Sequence, residues 1–422
     1  MKFETKCVQA GWEPKNGEPR VVPIYQSTTF KFDSSQHVAD LFDLKVGGHF
    51  YTRLSNPTLD AIEQRIAALE GGVGAMLTAS GQSASTLAVL NVASSGDHVI
   101  SSSAIYGGTV NLFGVTLERM GIHFTWVRPD ATDAEIEAEI RPNTKAIFGE
   151  TLANPAMEVM DLERWANVAH RHGIPIIVDN TFPTPYLCRP FEHGVDIVVH
   201  ATTKYLDGHA MSLGGCIVDS GNFDWAASGR FPEFCTPDTS YHGLIYTQTF
   251  GKAAYIVKAR AQLMRDLGPQ AAPMNAFLLG VGIETLPLRM ERHCSNAQKV
   301  AEWLVNNPKV EWVRYPGLKG DKCHALAQKY LPKGCAGVIS FGVAGGRQVA
   351  MKLMDSLKLI AIVVHVADAR TCVLHPASMT HRQLTDEQLA KAGISPAMVR
   401  LSVGIEHIDD ILADLEQAFA QL

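Results

Sequence analysis

The chain has 422 residues, of which 46% are hydrophobic and 19% charged, and its formal net charge is −6. That length suits about two or three domains around a substantial core, which excludes an intrinsically disordered chain. The acidic balance contains no basic block, so a nucleic-acid backbone is excluded as the expected partner.

The Met1–Lys6 start lacks the apolar centre of a signal peptide, and no apolar stretch reaches bilayer length. Leu359–His365 is about the most apolar run and is core-sized. The expectation is a soluble, cytoplasmic protein without membrane contact. Eight cysteines are scattered with no Cys-x-x-Cys pair, and sixteen histidines include no His-Glu-x-x-His. This usage fits buried thiols in a reducing compartment and predicts no metal.

Residues 1–57 show little periodicity and several prolines and aromatics, and read as an extended arm lying across something else. Tyr51-Thr-Arg53 and the Asn56-Pro57 turn close it, and Thr58 is placed to cap a helix over Leu59–Leu69 that Gly71-Gly72 stops. Gly74–Ala84, followed by a helical run over Ser85–Ala93, reads as a short apolar segment, a small-residue turn and a helix start. Such a turn can cup a phosphate, although it has neither Gly-x-Gly-x-x-Gly nor Walker spacing and is equally an ordinary connection.

Strands and helices then alternate in the manner of a mainly parallel sheet. Strands are predicted over Asp97–Ser101, His123–Val127, Ala146–Gly149 and Pro175–Asp179, and helices over Val110–Met120 and Leu162–His172. Val195–Val199 is another buried strand, followed by Thr203-Lys204 and by a further strand, Cys216–Asp219. An irregular, aromatic-rich insertion separates Asp219 from Tyr246, and residues 267–273 mark a boundary. Beyond lie a long helix, Glu284–Asn306, strands Val338–Gly342 and Met398–Val403, and helices Gln348–Met354 and Asp409–Leu422. The fold class is α/β, divided as an arm (1–57), a large domain (58–268) and a smaller C-terminal α+β domain (269–422).

Two strand ends carry the chemistry. Asp179 ends one buried strand and Lys204 follows the next, where an open α/β sheet places its ligands. Taken singly, Lys204 reads as a loop cap, Asp179 as a structural acid and Tyr106, at a helix entrance, as packing. Taken together they suit pyridoxal phosphate, which needs an amine for its aldehyde, an acid for its ring nitrogen, an anion cup and a stacking aromatic.

Several motifs occur in order along nearly the whole chain: Tyr51-Thr-Arg53-x-x-Asn56-Pro57-Thr58, Glu150-Thr-x-Ala-Asn154-Pro155, Val178-Asp179-Asn180-Thr181-Phe182, Thr203-Lys204-Tyr205-x-x-Gly208-His209 and His375-Pro376-Ala377-Ser378-x-Thr380-His381. In these the chain resembles the trans-sulfuration family of pyridoxal-phosphate enzymes. That resemblance implies a fold-type I transferase with a seven-stranded, mainly parallel sheet. It implies that Lys204 forms the Schiff base and shuttles protons, that Asp179 pairs with the pyridinium and that Tyr106 stacks on the ring. Gly81 and Gln82 would offer N–H groups to the phosphate and Thr203 a hydroxyl. Tyr51 and Arg53 would reach the phosphate in a neighbouring subunit, making a dimer obligatory and, by likeness, a tetramer the assembly. Arg400 would grip the substrate carboxylate, with Asn154 near it and near the cofactor, and Thr371 on the substrate side.

The chain departs from its relatives at Ala201, where serine is common, at Thr371, where serine is usual, and at His365, where related sulfhydrylases often carry asparagine. Methionine γ-lyases carry cysteine at the place of Gly108, and cystathionine enzymes often an acid at that of Arg370. The 219–225 and 237–243 segments, and residues 399–406 with 392–396 before them, resemble those of O-acetylhomoserine sulfhydrylases. The implied activity is homocysteine synthesis from an O-acylated homoserine and a sulfide donor. A γ-lyase, a cystathionine or O-succinylhomoserine enzyme and a non-catalytic binding protein on the same fold are the alternatives.

Overall fold

A computed structural model describes residues 1–380, 382, 385, 387, 389 and 394–422. Of the motifs above, His381 and, in the 392–396 segment, Ala392 and Gly393 lie outside the described residues.

The large sheet is built from β1 (Gly74–Thr78), β2 (His98–Ser102), β3 (His123–Val127), β4 (Thr144–Glu150), β5 (Ile176–Asp179), β6 (Ile197–His200) and β7 (Gly215–Asp219). Its order is β1-β7-β6-β5-β4-β2-β3, parallel throughout except that β7 runs antiparallel to both β1 and β6. Alternate residues serve two cores, as a sheet covered on both faces requires. Ile147, Val178 and Val198 pack on one side, and Phe148, Ile177 and Val199 on the other. A second, five-stranded sheet, ordered β10-β11-β12-β9-β8, uses β8 (Val310–Arg314), β9 (Val338–Val343), β10 (Ala361–Ile362), β11 (Cys372–Leu374) and β12 (Met398–Ser402).

Several local expectations are corrected. The arm contains two short helices, Phe3–Gln9 and Ser35–Phe42. The helix after it runs from Pro57 to Glu70 and is capped by Asn56, whose Oδ1 accepts from Thr58 N at 2.9 Å. Thr58 instead ties down the arm, donating its hydroxyl to Pro23 O at 2.7 Å and accepting from Tyr25 N at 2.9 Å. The phosphate-cup helix starts earlier than predicted, at Gly81, and ends at Leu90. The segment expected as one helix from Val110 is α-helical over Gly107–Asn111 and then a wider π-turn over Leu112–Leu117. A helix that was not expected, Pro273–Glu284, precedes the long one, which runs over Leu286–Val305 within the expected Glu284–Asn306. The first of these packs on Pro57–Glu70 and Phe3–Gln9. The aromatic insertion packs as core: Trp225 stacks on Phe234 at 4.4 Å and on Tyr255 at 5.4 Å.

No helix among the described residues is long and apolar enough to cross a membrane.

Candidate active site

The carboxyl ends of β4, β5 and β6 converge on one cavity of about 250 Å³, closed from the other side by β12 and by residues 364–366. Strand ends gather ligands because backbone amides and helix starts leave the sheet there. Gly81, Gln82, Tyr106, Asn154, Asp179, Thr203, Lys204 and Arg400 all line this cavity, far apart though they are in the chain.

Lys204 lies in the turns that follow β6, with its backbone N donating to Ala201 O at 3.2 Å. Burial, followed by the nearby Arg400 charge, pushes its amine down to about 8. A lysine so placed holds a useful fraction of free amine near neutral pH, which an amine nucleophile requires. Its Nζ lies 3.3 Å from His365 Nδ1. Burial, followed by Lys204, pushes that imidazole down to about 4.

Asp179 accepts from Thr181 N at 2.8 Å, and β5 sets it in register with Glu150 at the end of β4. Burial raises both carboxyls, and at Glu150 the charge of Asp179 adds to the rise. Glu150 Oε1 accepts the backbone N–H of Tyr106 at 2.6 Å, which fixes the entrance of the Tyr106 helix. The Tyr106 ring folds back over Gly108, where a Cβ would fall 2.4 Å from Tyr106 Cε1. The cysteine of methionine γ-lyases at this place would displace the ring.

The anion end is the N-terminus of Gly81–Leu90, whose first N–H groups have no intrahelical acceptors. Ser80 caps it, its Oγ accepting from Ser83 N at 3.2 Å. The hydroxyl of Thr203 donates to Gly214 O and accepts from Gly214 N, both at 3.1 Å. At the opposite end Arg400, buried on β12, donates to Asn154 Oδ1 at 3.3 Å and to His365 O at 3.0 Å. An amine, a buried acid, an aromatic, a helix N-terminus and a buried guanidinium thus share one cavity, a set that fits pyridoxal phosphate with an amino acid beside it.

Three expected residues are not brought to the cavity. Tyr51 and Arg53 are exposed; the guanidinium of Arg53 lies 5.3 Å over the Tyr51 ring and donates to Arg265 O at 2.8 Å. Thr371 is buried, donating its hydroxyl to Glu406 Oε2 and accepting from Gly404 N, both at 2.8 Å, so it braces a turn. Conversely, Glu150, Thr181 and His365 line the cavity without having been assigned a role. The first two could have been found from their motifs, both of which end buried strands. Leu213 and Val364 also line it, and apolar residues in loops carry no sequence signal.

A family model described as Cys/Met metabolism PLP-dependent enzyme matches residues 4–420. The O-acetyl-L-homoserine sulfhydrylase of Leptospira meyeri is 47% identical, covering 100% of this chain and 97% of that protein. The homocysteine synthase of Schizosaccharomyces pombe is 49% identical, covering 99% of this chain and 97% of its own length. A crystal structure of a putative O-acetylhomoserine (thiol)-lyase from Campylobacter jejuni, holding N'-pyridoxyl-lysine-5'-monophosphate, matches with a TM-score of 0.96 at 40% identity over all of both chains.

Proposed function

Given that this chain belongs to the Cys/Met metabolism family of pyridoxal-phosphate-dependent enzymes, we propose that it catalyses γ-replacement, making homocysteine and acetate from O-acetylhomoserine and sulfide. The observation that carries this is the single cavity joining Lys204, Asp179 and Arg400 in a chain that aligns end to end with sulfhydrylases.

Bound there, pyridoxal phosphate supplies an aldehyde that takes up amines and a ring that withdraws electrons from the substrate's Cα. The chain's residues do the rest. Arg400 holds the substrate carboxylate by two charge-assisted hydrogen bonds, with Asn154 beside it. Lys204, released when the substrate amine replaces it, takes a proton from Cα and then helps move one at Cβ. The C–O bond at Cγ breaks and acetate leaves; hydrosulfide then forms the new C–S bond, and the protons return. Asp179 stays ionised against the cationic ring nitrogen, and Tyr106 stacks on the ring. The helix start at Gly81 and Gln82, with Ser80 and Thr203, holds the phosphate. Tyr51 and Arg53 complete this phosphate site in a neighbouring copy, so the protein works as a homo-oligomer. The arm (1–57), cofactor-binding unit (58–268) and C-terminal unit (269–422) divide these tasks.

The experiment is a product assay with O-acetylhomoserine, O-succinylhomoserine and methionine, each with and without sulfide. Homocysteine from the acetyl ester and sulfide is the expected result, and 2-oxobutanoate from methionine alone would place the chain among lyases. Lys204→Ala should lower turnover by more than the ~10²–10⁴-fold that proton transfer alone supplies. Retention of most activity in that variant would end the mechanism.

A further inference from the structure

His365 stands between the two cations of the site. Lys204 Nζ lies 3.3 Å from its Nδ1, and Arg400 Nη2 donates to its carbonyl oxygen at 3.0 Å. Its other ring nitrogen, Nε2, is closed off from solvent and has no hydrogen-bond partner among the described residues. An imidazolium would aim an N–H from Nδ1 at Lys204, whose ammonium has no acceptor to offer. The charged and titratable groups facing the ring are Lys204, Arg400, Asp368 and Asp207, with Cys372 beside Lys204. Burial and the two cations keep the ring neutral against the two carboxylates. A neutral ring has one acceptor, and a lysine ammonium offers only donors, so Nδ1 accepts and Nε2 carries the hydrogen.

A lysine that moves protons exists in turn as ammonium and as amine. A carboxylate partner would favour the ammonium alone. A neutral acceptor serves both: the ammonium gives it one of three N–H groups, the amine one of two. In the second case the lone pair is turned away from the ring, toward the rest of the cavity. We propose that His365 is a positioning residue for Lys204, accepting a hydrogen bond from the amine in both protonation states and so fixing where its lone pair points during proton transfer. This rests on the reading above that Lys204 moves the substrate's protons. An asparagine Oδ1 at this place offers the same acceptor, which gives the test a conservative control.

The test has two readouts. In the first, full-length protein freed of cofactor is trace-labelled with acetic anhydride across pH 6–10, and modification of Lys204 is followed by peptide mass spectrometry against an exposed lysine. Loss of an acceptor weakens the ammonium, so His365→Leu should move the Lys204 midpoint to lower pH, and His365→Asn should return it to the wild-type value. In the second, the loaded enzyme carrying His365→Leu should lose kcat by about tenfold with little change in KM for the amino acid, and His365→Asn should recover it. An unmoved Lys204 midpoint in His365→Leu, or an asparagine variant that behaves like the leucine one, overturns the hydrogen bond. A moved midpoint with unchanged kcat overturns the positioning role. Failure of the underlying reading shows separately, as turnover surviving Lys204→Ala.

Discussion

Which of two neighbouring carboxyls stays ionised is decided by their surroundings. Glu150 and Asp179 end adjacent parallel strands in register, and burial raises both. At Asp179 that rise is opposed by hydrogen bonds from Thr181 and by His200, whereas the Asp179 charge adds to it at Glu150. The charge therefore settles on Asp179 and the proton on Glu150. The sign for stability follows from linkage. A carboxyl whose folded pKa exceeds its unfolded one keeps a proton that the unfolded chain has already released, so stability falls as pH rises through that window. Glu150→Gln keeps an acceptor for Tyr106 N and has nothing to ionise. Its cofactor-free form should melt about 2 °C or more above wild type at pH 8, with the two converging near pH 4. Thermal scans at both pH values check this; an equal difference at both would show that Glu150 is not the titrating group.

At the scale of elements, the helix start and the strand end must touch for the phosphate and the lysine to share one cofactor. A Cβ on Gly81 would fall 2.5 Å from Ala201 Cβ and 2.8 Å from Ala201 Cα. The second contact is backbone, so Gly81→Ala must push the helix start off the end of β6. Affinity of the stripped protein for pyridoxal phosphate should fall about tenfold, roughly 1.4 kcal/mol, as read by absorbance titration. Unchanged affinity would put the phosphate elsewhere. The same elements show what could be read in advance. Runs such as Ile176-Ile-Val-Asp179 and Ile197–His200 announce strands buried on both faces, so the positions of Asp179 and Lys204 follow from pattern alone. The expected cap at Thr58 gives way to Asn56, which the sequence also signals, since Asn outranks Thr as a cap and Pro57 suits the first helical position, while the Thr58 hydroxyl ties down the arm. Strands as short as Ala361–Ile362 have no period to detect, and the place of His365 in the site depends on that second sheet meeting the first.

At the scale of the whole molecule, the cavity holds too little positive charge for its expected guest. A phosphate ester carries roughly −1.5 to −2 near neutral pH. The lysines and arginines lining the cavity among the described residues are Lys204 and Arg400, which the proposed mechanism commits to the aldehyde and the substrate carboxylate. Arg53 could supply the missing charge and Tyr51 a hydroxyl, yet on their own subunit they lie exposed, away from the cavity, on an arm held by bonds from Asn56 and Thr58 to Tyr25 and Pro23. On the proposed reading they serve another copy. Arg53→Ala and Lys204→Ala chains should therefore each be nearly inactive alone, for different reasons. Unfolded together and refolded at equal amounts, half of the dimers pair one of each. In such a pair the intact Arg53 of the lysine variant completes the site that retains Lys204, while the other site lacks both. Random pairing with one working site in two predicts about a quarter of the wild-type specific activity. A mixture no more active than the sum of its parents, in dimers verified by mass, would mean that the arm completes no site but its own.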